Sequence, residues 1–433
     1  MTDIINSPPQ LAAILRPIDP PSTSTSTFSS TNNDEDEDEF TCTSLSFHSN
    51  GKHLFVSHRH GIRLYDVTKP DVSPGDDNGG PIQSIRYRSV LEDSSSEKQH
   101  RKSSASASDV VGIRDMKATH ANYCCLVAPA VYSYSGVSPR SNKEEGEGKE
   151  KSLPVEYISL YDNKVLRTFD AGHDVRSIGT SPLDDSFLTS ACRNSYGDGS
   201  VKLWDVKSPA CCAKIVNYKD VDGGSSSPSS SLPSSSPIAC FDGTGLVYGV
   251  AMHSGDGSCH NVHLYDARKY SVGPFAEFKL MRSSVRESLS SKNGFSSESA
   301  EMMSLTATWN NMQFSTDGKD ILISCDRGIA LTIDGYTGLL KHVYVREDVL
   351  PSEAENIPAA VACYTPDDKS VLIGGSNDGV VRCYDSQGEG TLQSKLSGGH
   401  VGRVSRIACS PRISVIATGS IYTGLWISPP PPV

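Results

Sequence analysis

Histidine, aspartate and arginine recur in this chain at positions where they could do chemistry. His173 follows Gly172, and Asp198 lies 25 positions further on; Gly399-His400 repeats the glycine–histidine pair. A histidine hydrogen-bonded to a carboxylate can relay protons. The same pair can instead satisfy each other's polar atoms inside a packed hairpin, and that structural role is the one expected for His173 and Asp198. Arg59, Arg176, Arg327 and Arg403 stand at short breaks between strand-like runs. A guanidinium offers paired donors that match a carboxylate or phosphate, so these four are the candidate partner-binding residues for an acidic or phosphorylated peptide. Twelve cysteines include the adjacent pairs Cys124-Cys125 and Cys211-Cys212 but no Cys-x-x-Cys spacing. They read as buried reduced thiols and not as zinc ligands. There is no P-loop, dinucleotide glycine pattern, His-Glu-x-x-His or Gly-x-Ser-x-Gly. The expectation is a chain that is not an enzyme, with no cofactor, no metal and no small-molecule substrate.

The elements that must position these residues are repeats. Ser200-Val201-Lys202-Leu203-Trp204-Asp205 has counterparts in Ile62–Asp66, Ile158–Asp162, Val262–Asp266, Ala330–Asp334 and Val381–Asp385, with a degenerate copy at Thr423–Ile427. Each is a short strand ending in a large apolar residue and usually a carboxylate. Asp162 and Asp205 lie 43 positions apart. A period of roughly 40–45 residues with a Trp-Asp end is the WD-repeat pattern, four antiparallel strands to each propeller blade. Upstream turns agree: Phe47-His48-Ser49-Asn50-Gly51-Lys52, Thr180-Ser181-Pro182-Leu183-Asp184-Asp185, Phe314-Ser315-Thr316-Asp317-Gly318-Lys319 and Tyr364-Thr365-Pro366-Asp367-Asp368-Lys369 each separate two apolar runs. Seven copies predict an all-β, seven-bladed WD-repeat propeller over residues 40–429. A strand around Leu11–Ile18 is expected to close the last blade, removing the edges an open array would leave. The aromatic residues at the strand ends, Tyr65, Tyr161, Trp204, Tyr265 and Tyr384, are expected to pack between blades.

The 96-residue interval between Asp66 and Asp162 exceeds a blade because polar stretches interrupt it, at about 92–108 and 133–152. Further insertions fall at about 218–236 and 282–304, with a short one at Asn194–Gly197. Residues 1–39 have a similar bias and end in the acidic run Asp34–Glu39. Such Ser-, Gly- and charge-rich segments bury too little apolar surface to order themselves. Removing them returns each unit to ordinary blade size. The net charge of −11 does not favour binding to nucleic acid. No apolar run approaches the 18 residues needed to span a bilayer, and Met1-Thr2-Asp3-Ile4-Ile5-Asn6 has neither the basic start nor the apolar core of a signal peptide. An intracellular, reduced, soluble protein with no membrane partner is therefore expected.

Several runs go beyond a generic repeat. Thr119-His120-Ala121-Asn122 and Tyr157–Lys164, Val201–Pro209, Phe241–Leu246, and Leu264-Tyr265-Asp266-Ala267-Arg268 followed by Gly273-Pro274-Phe275-Ala276 resemble one family. It is the Swd-type WD-repeat subunit of COMPASS, the Set-one histone H3 lysine-four methyltransferase complex. The resemblance runs from about Phe40 to Pro429 and implies a non-catalytic nuclear adaptor. Its partners would be a Set-one-type methyltransferase and other COMPASS subunits, and RNA polymerase II carrying a phosphorylated C-terminal repeat. Family members also occur in phosphatase assemblies and in cleavage–polyadenylation and termination machinery. A rival reading is a cullin ubiquitin-ligase substrate receptor, since Tyr265-Asp266-Ala267-Arg268 loosely fits a Trp-Asp-x-Arg box. The Phe-Arg-Arg-Gly motif of phosphoinositide-binding propellers is absent.

Overall fold

The computed structural model describes residues 9–15, 41–69, 81–87, 110–132, 153–172, 174–192, 199–217, 237–253, 259–292, 296–306, 309–348 and 360–427. They form seven four-stranded antiparallel sheets, the blades of a propeller. Blade I comprises β2 (Cys42–Phe47), β3 (His53–His58), β4 (Gly61–Asp66) and β5 (Gln83–Arg86). Blade II comprises β6 (Val110–Ala118), β7 (Cys124–Tyr132), β8 (Val155–Ser159) and β9 (Lys164–Phe169). Blade III comprises β10 (Asp174–Thr180), β11 (Ser186–Cys192), β12 (Gly199–Asp205) and β13 (Ala213–Asn217). Blade IV comprises β14 (Ile238–Phe241), β15 (Val247–His253), β16 (Cys259–Asp266) and β17 (Ala276–Met281). Blade V comprises β18 (Trp309–Phe314), β19 (Asp320–Cys325), β20 (Ile329–Asp334) and β21 (Leu340–Val345). Blade VI comprises β22 (Val361–Tyr364), β23 (Ser370–Gly374), β24 (Val381–Asp385) and β25 (Leu392–Leu396). In blade VII, β26 (Arg406–Cys409), β27 (Val415–Gly419) and β28 (Thr423–Ile427) are completed by β1 (Gln10–Leu15), which pairs antiparallel with β28.

The repeated turns fold by local hydrogen bonding. Asp317 Oδ1 accepts from Ser315 Oγ at 2.8 Å and from Lys319 N at 3.1 Å, while Gly318 takes the left-handed φ of 70° that the turn requires. The strand-end carboxylates do the same work at the next turn. Asp66, Asp205, Asp266, Asp334 and Asp385 each accept the backbone N–H two residues on, at 2.8–3.1 Å. They are turn caps, which is why the repeat keeps them.

The inner strands β2, β6, β10, β14, β18, β22 and β26 contact one another in sequence and close between β26 and β2. Ser44 Oγ donates to Met116 O at 2.8 Å, Ile178 N to Asp115 Oδ2 at 2.9 Å, and Ser405 Oγ to Cys42 O at 2.7 Å. Each blade therefore satisfies polar atoms of the next. Between blades the core is apolar and aromatic. Phe169 of blade II meets Phe187 of blade III edge-on at 4.9 Å, and the blade IV cross-strand pair Tyr248 and Tyr265, stacked at 5.1 Å, shares a buried cluster with Leu188 and Val201 of blade III. Burial pushes the Cys42 and Cys240 thiols up to about 12, which suits packing and not metal ligation. Because all seven meanders run the same way, the inner-strand starts and the turns between second and third strands share one face, called the upper face. The remaining turns form the lower face.

Two expectations are corrected. In blade II the end of the third strand is Ile158-Ser159, not Tyr161-Asp162: Cys125 pairs with Ile158 and Cys124 with Ser159, as Phe187 pairs with Trp204 and Ser186 with Asp205 in blade III. Tyr161 lies in the following turn and is 78% exposed, so it does not pack between blades. Ser159 Oγ donates to Asp162 Oδ2 at 3.1 Å, which ties that turn to the strand end. Second, the region 282–304 is not an unordered insertion. It holds α1 (Arg282–Ser290) and α2 (Ser297–Thr306), which pack on each other and on β21. Val285, Leu289, Ala300 and Met303 are buried in the blade IV–V core, and Arg282 and Arg286 both pair with Glu301. The expected insertions at 92–108, 133–152, 194–197 and 218–236, and the acidic run at 34–39, lie outside the described residues.

Candidate partner-binding site

Four of the inner strands carry a β-bulge, near the start of β2, β10 and β18 and midway along β6, where one residue has no opposite number in the strand register. The bulged residues are Thr43 in blade I, Arg114 in II, Arg176 in III and Asn310 in V. Arg176 is exposed and, among the described residues, makes no hydrogen bond or ion pair. Arg114 was not singled out from the sequence, although Ile113-Arg114-Asp115 and Val175-Arg176-Ser177 share one pattern: a polar pair after a β-branched residue. Arg114 Nη1 donates to Val175 O at 3.4 Å and lies 3.9 Å from Asp174 Oδ2. Arg59, in the β3–β4 turn, has its carbonyl bonded by Ile113 N at 2.8 Å. Arg59, Arg114 and Arg176 thus follow one another along an arc over blades I to III.

Arg327 and Arg403 belong to a second arc over blades V to VII. Arg327 turns the chain between β19 and β20 with φ 59°, and the next residue, Gly328, accepts from Arg346 N at 3.1 Å. Arg346 is fully buried. Its Nη1 reaches Gly374 O of blade VI at 3.4 Å, and its Nη2 lies 3.3 Å from Asp348 Oδ2. Burial lowers its pKa, and the charges of Arg382 and Arg403 press the same way against Asp348. Arg382, also buried, donates to Asp378 Oδ2 at 2.6 Å and lies 3.6 Å from both Asp348 Oδ1 and Glu347 Oε2. Burial works against the Arg382 charge, but Asp378 and Asp348 outweigh it and raise the pKa; Asp378 falls to about 2. Arg403 is exposed, and burial of its surroundings with the Arg406 charge lowers its pKa. The structure therefore places all four candidate arginines on the upper face, in two groups. Arg346 and Arg382 carried no sequence signal, because their role exists only once blades V and VI meet.

The glycine–histidine pairs are structural where described. His400 Nε2 is 2.6 Å from Thr418 Oγ1, which accepts from Trp426 Nε1 at 2.7 Å. Burial lowers the His400 pKa to about 4, so the imidazole is neutral at pH 7. Blade III repeats the second link, with Trp204 Nε1 donating to Thr189 Oγ1 at 2.9 Å; His173 and Asp198 lie outside the described residues. Arg268 sits on the lower face, its Nε 3.4 Å from Asp266 Oδ1. Among the described residues, no group of three or more His, Cys, Asp or Glu side chains could hold a metal.

Comparison with known proteins agrees with this architecture. The WD domain, G-beta repeat family model matches residues 163–205, which span β9 and the first three strands of blade III. WD repeat-containing protein 82 of Drosophila melanogaster is 27% identical over 63% of this chain and 69% of that protein. The COMPASS component SWD2 of Saccharomyces cerevisiae is 25% identical over 64% of this chain and 72% of its own length. The Swd1 (Cps50) β-propeller domain of Myceliophteria thermophila superimposes with a TM-score of 0.54 over 97% of this chain and 99% of that one, at 12% identity. The chain is a seven-bladed β-propeller that contains a WD repeat and is similar to components of Set1/COMPASS complexes.

Proposed function

We propose that this protein is a non-catalytic adaptor subunit of a nuclear histone H3 lysine-four methyltransferase complex of the Set1 type, coupling that complex to transcribing RNA polymerase II. The observation that carries the reading is the likeness to COMPASS component SWD2 over 64% of the chain. The arrangement of the upper face supports it. Propellers bind partners through loops at the channel mouth, and here those loops carry Arg59, Arg176, Arg327 and Arg403. Guanidinium groups spaced along two arcs suit an extended acidic or phosphorylated segment, such as the phosphorylated C-terminal repeat of the polymerase.

The test is affinity purification of the tagged protein from nuclear extract, with mass spectrometry of what remains bound. Recovery of a SET-domain methyltransferase with its partners is the expected result. Recovery of a phosphatase or of 3′-end processing factors alone would move the adaptor to termination complexes. A cullin adaptor, lost on Arg268→Ala, would point to the ligase reading instead.

A further inference from the structure

Cys363 and Cys409 are chemically unlike the other buried thiols. Burial leaves Cys42 and Cys240 fully protonated and unreactive at neutral pH. Cys363, 5% exposed in inner strand β22, instead collects donors on its sulfur from both neighbouring blades. The Cys409 thiol and the Cys409 backbone N–H of β26 both bond it, as does the side chain of Gln313 in β18. Gln313 Oε1 already accepts from Tyr364 N at 3.2 Å, so its amide NH₂ is the group left for the sulfur. Lys117 of blade II adds a positive charge. These groups favour a thiolate, and the Cys409 hydrogen bond holds Cys363 below the ordinary thiol value against its own burial. The same bond, with burial, pushes Cys409 well up.

A thiolate held against a second thiol is the arrangement from which a disulfide forms. β22 and β26 are neighbouring inner strands in contact, and all four residues of β26 are partly exposed along the channel wall. Cys363 itself is closely covered, so only a small oxidant can reach it. We propose that Cys363 and Cys409 form a redox site, which hydrogen peroxide converts to a disulfide joining blade VI to blade VII. The Cys363 sulfur attacks one peroxide oxygen; the S–O bond forms, the O–O bond breaks, and the departing hydroxide takes up the Cys363 proton as water. The Cys409 sulfur then attacks the Cys363 sulfur. The S–S bond forms, the S–O bond breaks, and the second hydroxide leaves with the Cys409 proton as water. Two thiols lose two electrons and two protons, and the peroxide takes up both. The site acts whatever complex the propeller joins.

Peptide mapping of the folded full chain tests it. The reduced protein is exposed to hydrogen peroxide, its remaining thiols are blocked with N-ethylmaleimide in urea, and it is digested without reductant. A peptide linked through Cys363 and Cys409 should appear before Cys42, Cys125 or Cys240 is oxidised. Cys409→Ser should abolish the link and leave Cys363 as a sulfenic acid that dimedone traps. Gln313→Glu keeps the acceptor for Tyr364 N but removes the donor to the sulfur. It should slow linkage about threefold, because an about tenfold loss of thiolate is partly offset by the greater nucleophilicity of what remains. The exposed Cys212 in the same sample should oxidise at its wild-type rate. Cys363 and Cys409 recovered as blocked thiols while Cys211 and Cys212 are oxidised would overturn the assignment. So would a link that forms as readily in the urea-unfolded chain.

Discussion

The two arginine arcs of the upper face use one residue type in opposite ways. Over blades V to VII, Arg346 and Arg382 are buried and join blade V to blade VI through Gly374, Asp348 and Asp378. Over blades I to III, a β-bulge holds Arg176 out into solvent, with no partner among the described residues. Position on the upper face therefore does not tell whether an arginine is free to meet a partner or holds the fold. Burial and the carboxylates within reach decide it.

The largest expected effect separates the arcs directly. Arg382→Ala leaves Asp378 without its cation and Asp348 with Arg346 alone, and should cost about 3–5 kcal/mol, the range for breaking a buried pair. Arg176→Ala should stay within about 0.5 kcal/mol of wild type. Urea unfolding of the two variants measures both, and equal losses would erase the distinction.

Acid should expose the same asymmetry. His400 has its pKa lowered by burial from 6.5 to about 4, so the unfolded chain binds the extra proton between those values. Stability from this group is full above pH 6.5 and is lost as pH falls toward 4, by roughly 3 kcal/mol. Asp378, lowered from 3.8 to about 2, adds a further loss below pH 3.8 as its pairing with Arg382 fails. Urea midpoints at pH 7, 5 and 4 should fall steeply for wild type and less for His400→Gln; parallel slopes would remove His400 from the account.

Smaller effects concern the blades themselves. Thr189→Val leaves the buried Trp204 Nε1 without its acceptor and should cost about 1–3 kcal/mol. Thr418→Val, which removes the partner of both His400 and Trp426, should cost more; the reverse order would contradict the hydrogen bonding described. Deleting residues 218–236 should leave the melting temperature nearly unchanged, because no strand of blades III or IV is removed. A fall of many degrees would show a stabilising role for that segment.

Much of the propeller was legible because turn chemistry and strand alternation are local. The Asp317-Gly318 and Asp205 turns announce themselves in sequence and fold as their residues dictate. Blade II misled because Tyr161-Asp162 imitates the strand end three residues past the true one; only pairing with β7 settles the register. The helix pair was hidden by serine-rich composition, although Val285 and Leu289, and Ala300 and Met303, have the four- and three-residue spacing of a buried helix face. Among site residues, Arg114 was readable by analogy with Arg176. Arg346 was not, since its environment is assembled from residues far apart in sequence.

We propose that the upper face, not the lower, receives the partner complex. The direct measurement is capture of the SET-domain methyltransferase from nuclear extract by tagged variants, compared with wild type at equal loading. One variant reverses upper-face charge, Arg59→Glu with Arg176→Glu; the other reverses lower-face charge, Lys207→Glu with Arg268→Glu. Capture should fall by about tenfold for the upper-face pair, the scale expected when charge complementarity is inverted, and hold for the lower-face pair. Loss confined to the lower-face pair would contradict the account.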